Sequence, residues 1–193
     1  GKDNYFWIHI PVGYLYCMNN PRTDWMFSTE AEAGLNGRSL AYPRGRVLGG
    51  CSSINGMIYM RGQSRDYDQW RQLGNSGWGW DDVLPYFMKS EDQAAVPADE
   101  MHESGGEWRV ENQRLSWEVL DAFQEAAAQV GIPKTNDFNR GDNHGCGYFH
   151  VNQRTGTRVS TSRAFLKPAR NRSNLTVLTH AEVDKIELDG RKV

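Results

Sequence analysis

Residues 43 to 70 read PRGRVLGGCSSINGMIYMRGQSRDYDQW, and the residue types near the centre of this run suit a backbone that lies against a flat ligand. Gly49 and Gly50 have no Cβ, so the chain can take positive φ there and approach a ring closely. Cys51, Ser52 and Ser53 are small and keep the wall thin. Asn55 adds an amide that both donates and accepts hydrogen bonds. If the residues after Gly50 open a helix, their free N–H groups and the helix dipole favour an anionic or electron-rich ligand edge by roughly 0.3–1 kcal/mol. A tight, buried strand-to-helix turn with no ligand has the same composition, and the residue types alone leave both readings open.

The ordered run Gly45-Arg46, Val47-Leu48, Gly49-Gly50, Ser52-Ser53, Asn55, Tyr59, Arg61-Gly62 and Asp66 resembles the flavin-contact signature of the glucose-methanol-choline (GMC) oxidoreductases. The stretches INGMIYMRGQ and GWGWDDVLPYF are similar to the choline dehydrogenase-like and broad alcohol dehydrogenase branch. The resemblance implies FAD, with Val47, Gly49, Gly50, Ser52, Asn55, Gly56, Met57 and Ile58 beside the isoalloxazine and Val183, in HAEVDKI, at the adenine end. Some choline-oxidising members hold flavin covalently through a histidine between the serine pair and the asparagine. Here that position is Ile54, so the resemblance implies a non-covalent flavin.

The implied reaction is oxidation of the CH–OH group of a choline-like or other primary alcohol to an aldehyde or ketone, with hydride passing to flavin N5. The electron acceptor, a quinone or oxygen, is left open. The family's G-x-G-x-x-G fingerprint lies upstream of this region and its histidine base downstream. No residue here is therefore assigned as catalytic, and the chain is expected to be an internal fragment, inactive by itself.

The elements that must position the turn are mixed α and β. Ser116 is expected to cap a helix to about Val130, where Leu120, Phe123, Ala127 and Val130 recur at helical spacing before Gly131 and Pro133. Further helices are expected from Asp81 to Glu91, from Asp66 to Leu73, and from Ser160 to Pro168. Strands are expected at Glu107–Val110, Gly147–Gln153, Leu175–Thr179 and Val183–Leu188, the last followed by an Asp189-Gly190 hairpin turn. By resemblance this α/β pattern divides into an FAD-binding segment (1–93), the start of an antiparallel-sheet substrate domain (94–156) and a return to the FAD-binding domain (157–193).

Composition bounds the alternatives. With 193 residues, 38% of them hydrophobic, the chain can bury roughly 70% of its unfolded surface, and a net charge of −2 gives no basic stripe for nucleic acid or an anionic membrane. No apolar run approaches the roughly 20 residues of a membrane span. Cys17, Cys51 and Cys146 are too few and too scattered for a disulfide framework or a thiolate zinc site, which makes a reducing, cytoplasmic setting the default, compatible with membrane association of a longer protein. His144 and Cys146 have no further ligand pair beside them. Asp137, Asn139, Gly141 and Asp142 resemble a calcium loop only faintly, because the closing acidic position is Tyr148. No metal is assigned.

The seven tryptophans, with Trp78 and Trp80 flanking a glycine, suit either core packing or a stacking platform for a sugar, which makes a carbohydrate-binding module the alternative function. In a strand, Tyr148 and His150 share a face and can line a substrate cavity, or His150 can be structural. Arg158 to Arg163 reads as a capped helix start in preference to a phosphate site.

Overall fold

The computed structural model describes residues 1–190. The N-terminus packs two one-turn helices, α1 (Phe6–His9) and α2 (Tyr14–Cys17), against the glycine turn. Ile8 and Cys17 from these helices meet Val47 and Ile54 in one apolar cluster, edged by Tyr5, Trp7 and Met18. Burial of these side chains, roughly 25 cal/mol per Å² of apolar surface, anchors the turn from behind. A two-residue ladder, β1 (Phe27–Ser28) with β2 (Ala41–Tyr42), closes the loop between.

Helix α3 (Ser64–Gln72) starts where the Asp66 carboxylate accepts the Gln63 N–H at 2.8 Å, and α4 (Trp80–Ser90) starts where Asp82 accepts the Gly79 N–H at 3.0 Å. Both acids thus satisfy donors that helix ends leave free. Pro85 is the sixth of the eleven residues of α4, inside the helix and beyond the first turn, where its missing N–H removes an interior helical hydrogen bond. The chain then runs into β3 (Glu91–Gln93), which pairs in parallel with β4 (Trp108–Asn112), and β4 pairs antiparallel with β5 (His150–Val151). Ile58 bridges Val151, the Tyr59 N–H donates to the His150 carbonyl at 2.9 Å, and the Asn152 N–H donates to the Met57 carbonyl at 2.8 Å. The glycine-turn segment is thereby fastened to the free edge of β5.

A tight hairpin follows, β6 (Gln153–Arg154) with β7 (Thr157–Arg158), turning on Thr155 and Gly156 at φ 49° and 79°. Two positive-φ residues give the twist that a two-residue hairpin needs. Helix α5 (Glu118–Gln129) lies between β4 and β5 in sequence. The last helical segment combines a π turn (Ser162–Leu166) with α6 (Lys167–Ala169).

Several expectations move. Helix α5 is capped by no side chain: Trp117 stands at its N-cap, and the Trp117 N–H donates to the Tyr148 hydroxyl at 3.2 Å, so Ser116 is not the cap. Of the expected stripe on α5 only Ala127 is buried, while Leu120, Phe123 and Val130 are exposed. Helix α4 opens at Trp80, which makes Asp81 a first-turn residue and not a cap. The expected strand Gly147–Gln153 is broken at Asn152, whose side-chain NH₂ donates to the Arg109 carbonyl at 3.3 Å. Leu175–Thr179 and Val183–Leu188 form no strand, because neither finds a ladder partner among the described residues. The returning strand expected over residues 191–193 lies outside the described residues. Among the described residues no helix is long and apolar enough to cross a membrane.

Candidate functional site

Gly49 and Gly50 take φ 86° and 53°, the left-handed conformation that residues with a Cβ adopt at a cost. A Cβ at Gly49 would collide with the Ser53 hydroxyl, and one at Gly45 would collide with the Gly50 carbonyl, so this turn is packed backbone against backbone. Gly50–Ser53 forms a single 3₁₀ turn. The expected helix, with its dipole aimed at a ligand, is therefore absent here. The serine hydroxyls are used internally: Ser53 donates to the Leu48 carbonyl at 2.7 Å, Ser52 donates to the Gly49 carbonyl, and Ser52 also accepts the Thr161 N–H at 2.9 Å. Ser52 thus ties the turn to the start of the last helical segment.

Beyond the turn the chain is aimed outward. Asn55, Gly56 and Ile58 are exposed, while Met57, at φ 65°, tucks its side chain inside. A left-handed non-glycine residue is a strained one. It is held by the Asn55 side chain, whose Oδ1 accepts the Met57 N–H at 3.0 Å, and by the link from the Met57 carbonyl to Asn152. Asn55 and Ile58 open on a cavity of about 580 Å³ walled by Trp78, Tyr86, Phe87 and Trp108 with Asn152. An apolar cavity with a few convergent polar groups is the usual form of a site for a small organic ligand. A second cavity, of about 410 Å³, lies between Gly1, Trp25 and Arg46 on one side and His180–Glu182 on the other, so the chain next to Val47 and the chain next to Val183 converge.

The sequence-derived site residues separate accordingly. Asn55, Gly56 and Ile58 are presented; Gly49, Gly50 and Ser52 shape the turn beneath them. Val47 and Met57 are buried and can meet a ligand only through backbone, and Val183 is exposed. Tyr148 and His150 do not line the larger cavity: Tyr148 donates to Asp121 at 2.8 Å, and His150 is buried with neither ring nitrogen hydrogen-bonded. Trp80 is buried, and Trp78, half exposed, packs edge-on against Trp70.

Beneath this site runs a buried ionic chain that spacing did not disclose. Arg61 Nη2 lies 3.0 Å from Glu91 Oε2, though not aligned as a hydrogen bond, while its Nη1 donates to the Met101 carbonyl at 2.6 Å. Glu91 also lies 3.0 Å from His102 Nδ1, and His102 Nε2 lies 2.9 Å from Asp137. Burial alone would strip the proton from His102, but the two carboxylates outweigh it and hold the imidazolium to about 9. Burial would likewise favour a protonated Asp137, yet His102 and the Asn139 N–H bring its carboxyl down to about 2. Burial pushes the His150 imidazole down and keeps it neutral beside this charge. Tyr59, which faces the cavity, has its phenol pushed up to about 12, chiefly by burial. Asp137 and Asn139, the faint calcium pattern, are thus occupied in holding the loop, and no cluster of metal-ligating side chains exists among the described residues.

The sequence profile of the GMC oxidoreductases matches residues 12–193. The chain belongs to the GMC oxidoreductase family. Within it, the chain is 42% identical to an oxygen-dependent choline dehydrogenase from Photobacterium profundum, covering all of this chain and 34% of that protein. It is 39% identical to the protein of the same name from Staphylococcus aureus, covering 35% of it. Its fold matches the crystal structure of pyridoxine 4-oxidase from Mesorbium loti with a TM-score of 0.91 at 34% identity, over 98% of this chain and 37% of that one. It also matches an FAD-dependent oxidoreductase from Chaetomium thermophilum with a TM-score of 0.80 at 28% identity, over 91% of this chain and 32% of that one. The chain thus spans about a third of the length of the GMC relatives it matches.

Proposed function

We propose that the protein carrying this chain is an FAD-dependent oxidoreductase acting on the CH–OH group of a small alcohol, choline or another primary alcohol. The observation that carries the reading is the exposed edge Asn55-Gly56-Ile58, raised by the double-glycine turn beside an apolar cavity of about 580 Å³. A flat tricyclic ring fits such an edge: the backbone at Gly56 has no Cβ to hold it off, and the aromatic walls offer apolar surface beside it. When bound, FAD supplies the hydride acceptor for converting the alcohol to an aldehyde or ketone.

Asn55 offers its amide to the polar rim of the ring, Ile58 covers an apolar face, and the cavity aromatics shield the reacting carbon. The cavity between Trp25 and Arg46 on one side and His180–Glu182, next to Val183, on the other suits the adenine end. Ile54 has no nucleophilic atom and is packed in the core, which supports a non-covalent flavin. No described residue is assigned the role of proton acceptor; that role belongs to the part of the protein outside this chain. The division into an FAD-binding segment (1–93), a substrate-domain start (94–156) and a returning segment (157–193) belongs to the same proposal, as does a reducing cytoplasmic setting for the free cysteines Cys17, Cys51 and Cys146.

The test is to supply the purified gene product with choline and short primary alcohols and either a quinone or oxygen. Turnover that scales with bound flavin supports the reading and identifies the acceptor. Failure of every alcohol with a flavin-replete protein contradicts it.

A further inference from the structure

Arg158 is fully buried, yet no carboxylate among the described residues pairs with it. Its Nε donates to the Ile8 carbonyl at 2.7 Å, its Nη1 donates to the Ser52 carbonyl at 3.0 Å and to Asn55 Oδ1 at 2.9 Å, and its Nη2 has no hydrogen-bond partner. Burying a cation without a counter-charge is expensive, and here burial brings the guanidinium down to about 10. Three carbonyl-type oxygens from two segments, the N-terminal helix at Ile8 and the glycine turn at Ser52 and Asn55, converge on this one planar group. A lysine ammonium, a compact point charge on a flexible stem, does not reproduce that fork.

The consequence falls on Asn55. Both groups that face its Oδ1, the Met57 N–H and Arg158 Nη1, are donors with nothing to accept, so only the oxygen of the amide can point toward them. The NH₂ must then point the other way, and Asn55 is exposed on the larger cavity with no protein partner for Nδ2 among the described residues. The positive charge behind Oδ1 also polarises the amide and strengthens its outward N–H donors.

We propose that Arg158 is a positioning residue that locks the Asn55 side chain with its NH₂ toward the cavity, as a fixed donor for the acceptor edge of the bound flavin. This deepens the functional reading and rests on it. Reduction adds electron density to the flavin, so a donor at its edge stabilises the reduced form more than the oxidised one. Loss of that donor lowers the midpoint potential of the bound flavin.

The experiment compares the full gene product with Arg158→Lys, Asn55→Asp, Asn55→Ala and the Arg158→Lys/Asn55→Ala pair, reading the visible spectrum and midpoint potential of bound flavin together with FAD affinity. Asn55→Asp retains the oxygen toward Arg158 and gains a salt bridge, so it tests the outward donor even where an Arg158 variant does not fold. The expected result is a lowered potential and altered flavin band shape in every variant. Asn55→Ala should show about tenfold weaker FAD binding, the size of one hydrogen bond, and the double variant should be no worse than Asn55→Ala. A parent-like potential and spectrum in Asn55→Asp, or additive effects in the double variant, would overturn the positioning role while leaving the flavin assignment intact. A gene product that neither carries nor binds flavin would overturn both.

Discussion

His102 Nε2 and Asp137 Oδ2 lie 2.9 Å apart in the interior, 35 residues apart in sequence, and the opposite ring nitrogen of the same histidine lies 3.0 Å from Glu91. With carboxylates on both sides, both ring nitrogens are donors and His102 is an imidazolium. The pair binds the loop around Asn139 to β3, and Asn139 Oδ1 accepts the Arg61 N–H at 2.7 Å. The cavity-facing segment 58–61 is thus positioned by charge buried beneath it.

The first prediction follows from His102. Its pKa is raised from 6.5 to about 9, so its contribution to stability is fully present below about pH 6.5 and is lost as pH rises through about 9. Counted once for the cluster, this is on the order of 3 kcal/mol. Asp137, lowered from 3.8 to about 2, contributes above pH 3.8 and loses that contribution as pH falls through about 2. Urea midpoints of the gene product should fall between pH 6.5 and 9, and a His102→Gln variant should lack that slope. An unchanged slope in the variant would mean that other groups titrate.

Glu91 lies between two cations, Arg61 and His102, with all three side chains almost wholly out of solvent. Glu91→Ala leaves the Arg61 guanidinium buried without its counter-charge, which typically destabilises by about 3–5 kcal/mol. Chemical denaturation should register a loss of that size. A change under about 1 kcal/mol would place Arg61 in contact with water.

Gly49→Ala forces a Cβ into the left-handed region and onto the Ser53 hydroxyl. The backbone term alone is about 1–2 kcal/mol, and displacement of Ser53 frees the Leu48 carbonyl. The variant should melt several degrees lower and be purified with less flavin. Full flavin content at an unchanged melting temperature would remove this turn from the account.

Ile54 stands where a linking histidine would be, and it is buried against Ile8, Cys17 and Val47. Acid precipitation of the gene product should therefore release all flavin into the supernatant. Colour retained by the pellet would contradict a non-covalent cofactor.

The glycine turn was legible from the sequence because its physics is local: positive φ at Gly49 and Gly50 is a property of residues without a Cβ, and Asn55-Gly56 follows directly. The ends of α3 and α4 were nearly legible for the same reason, since Asp66 and Asp82 act within one turn of chain. The ion cluster was not. Arg61, Glu91, His102 and Asp137 are each ordinary where they occur, and only the pairing of β3 with β4 and the return of the Asn139 loop bring them together. Arg158 was read as part of a helix start because the Ser-Thr-Ser residues after it are good caps, whereas its actual partners, Ile8, Ser52 and Asn55, lie more than 100 residues earlier. The C-terminal alternation at Leu175–Thr179 was a sound strand pattern, but a strand also needs a neighbour.

The central claim is that the Asn55-Gly56-Met57-Ile58 edge lies against the flavin, and the direct measurement is a crystal structure of the full gene product with FAD bound. The account predicts Asn55 Nδ2 within hydrogen-bond reach of an isoalloxazine oxygen or nitrogen, about 2.7–3.2 Å, with Oδ1 still facing Arg158. A ring system bound away from this edge, or an Asn55 amide turned with its oxygen toward the cavity, would contradict it.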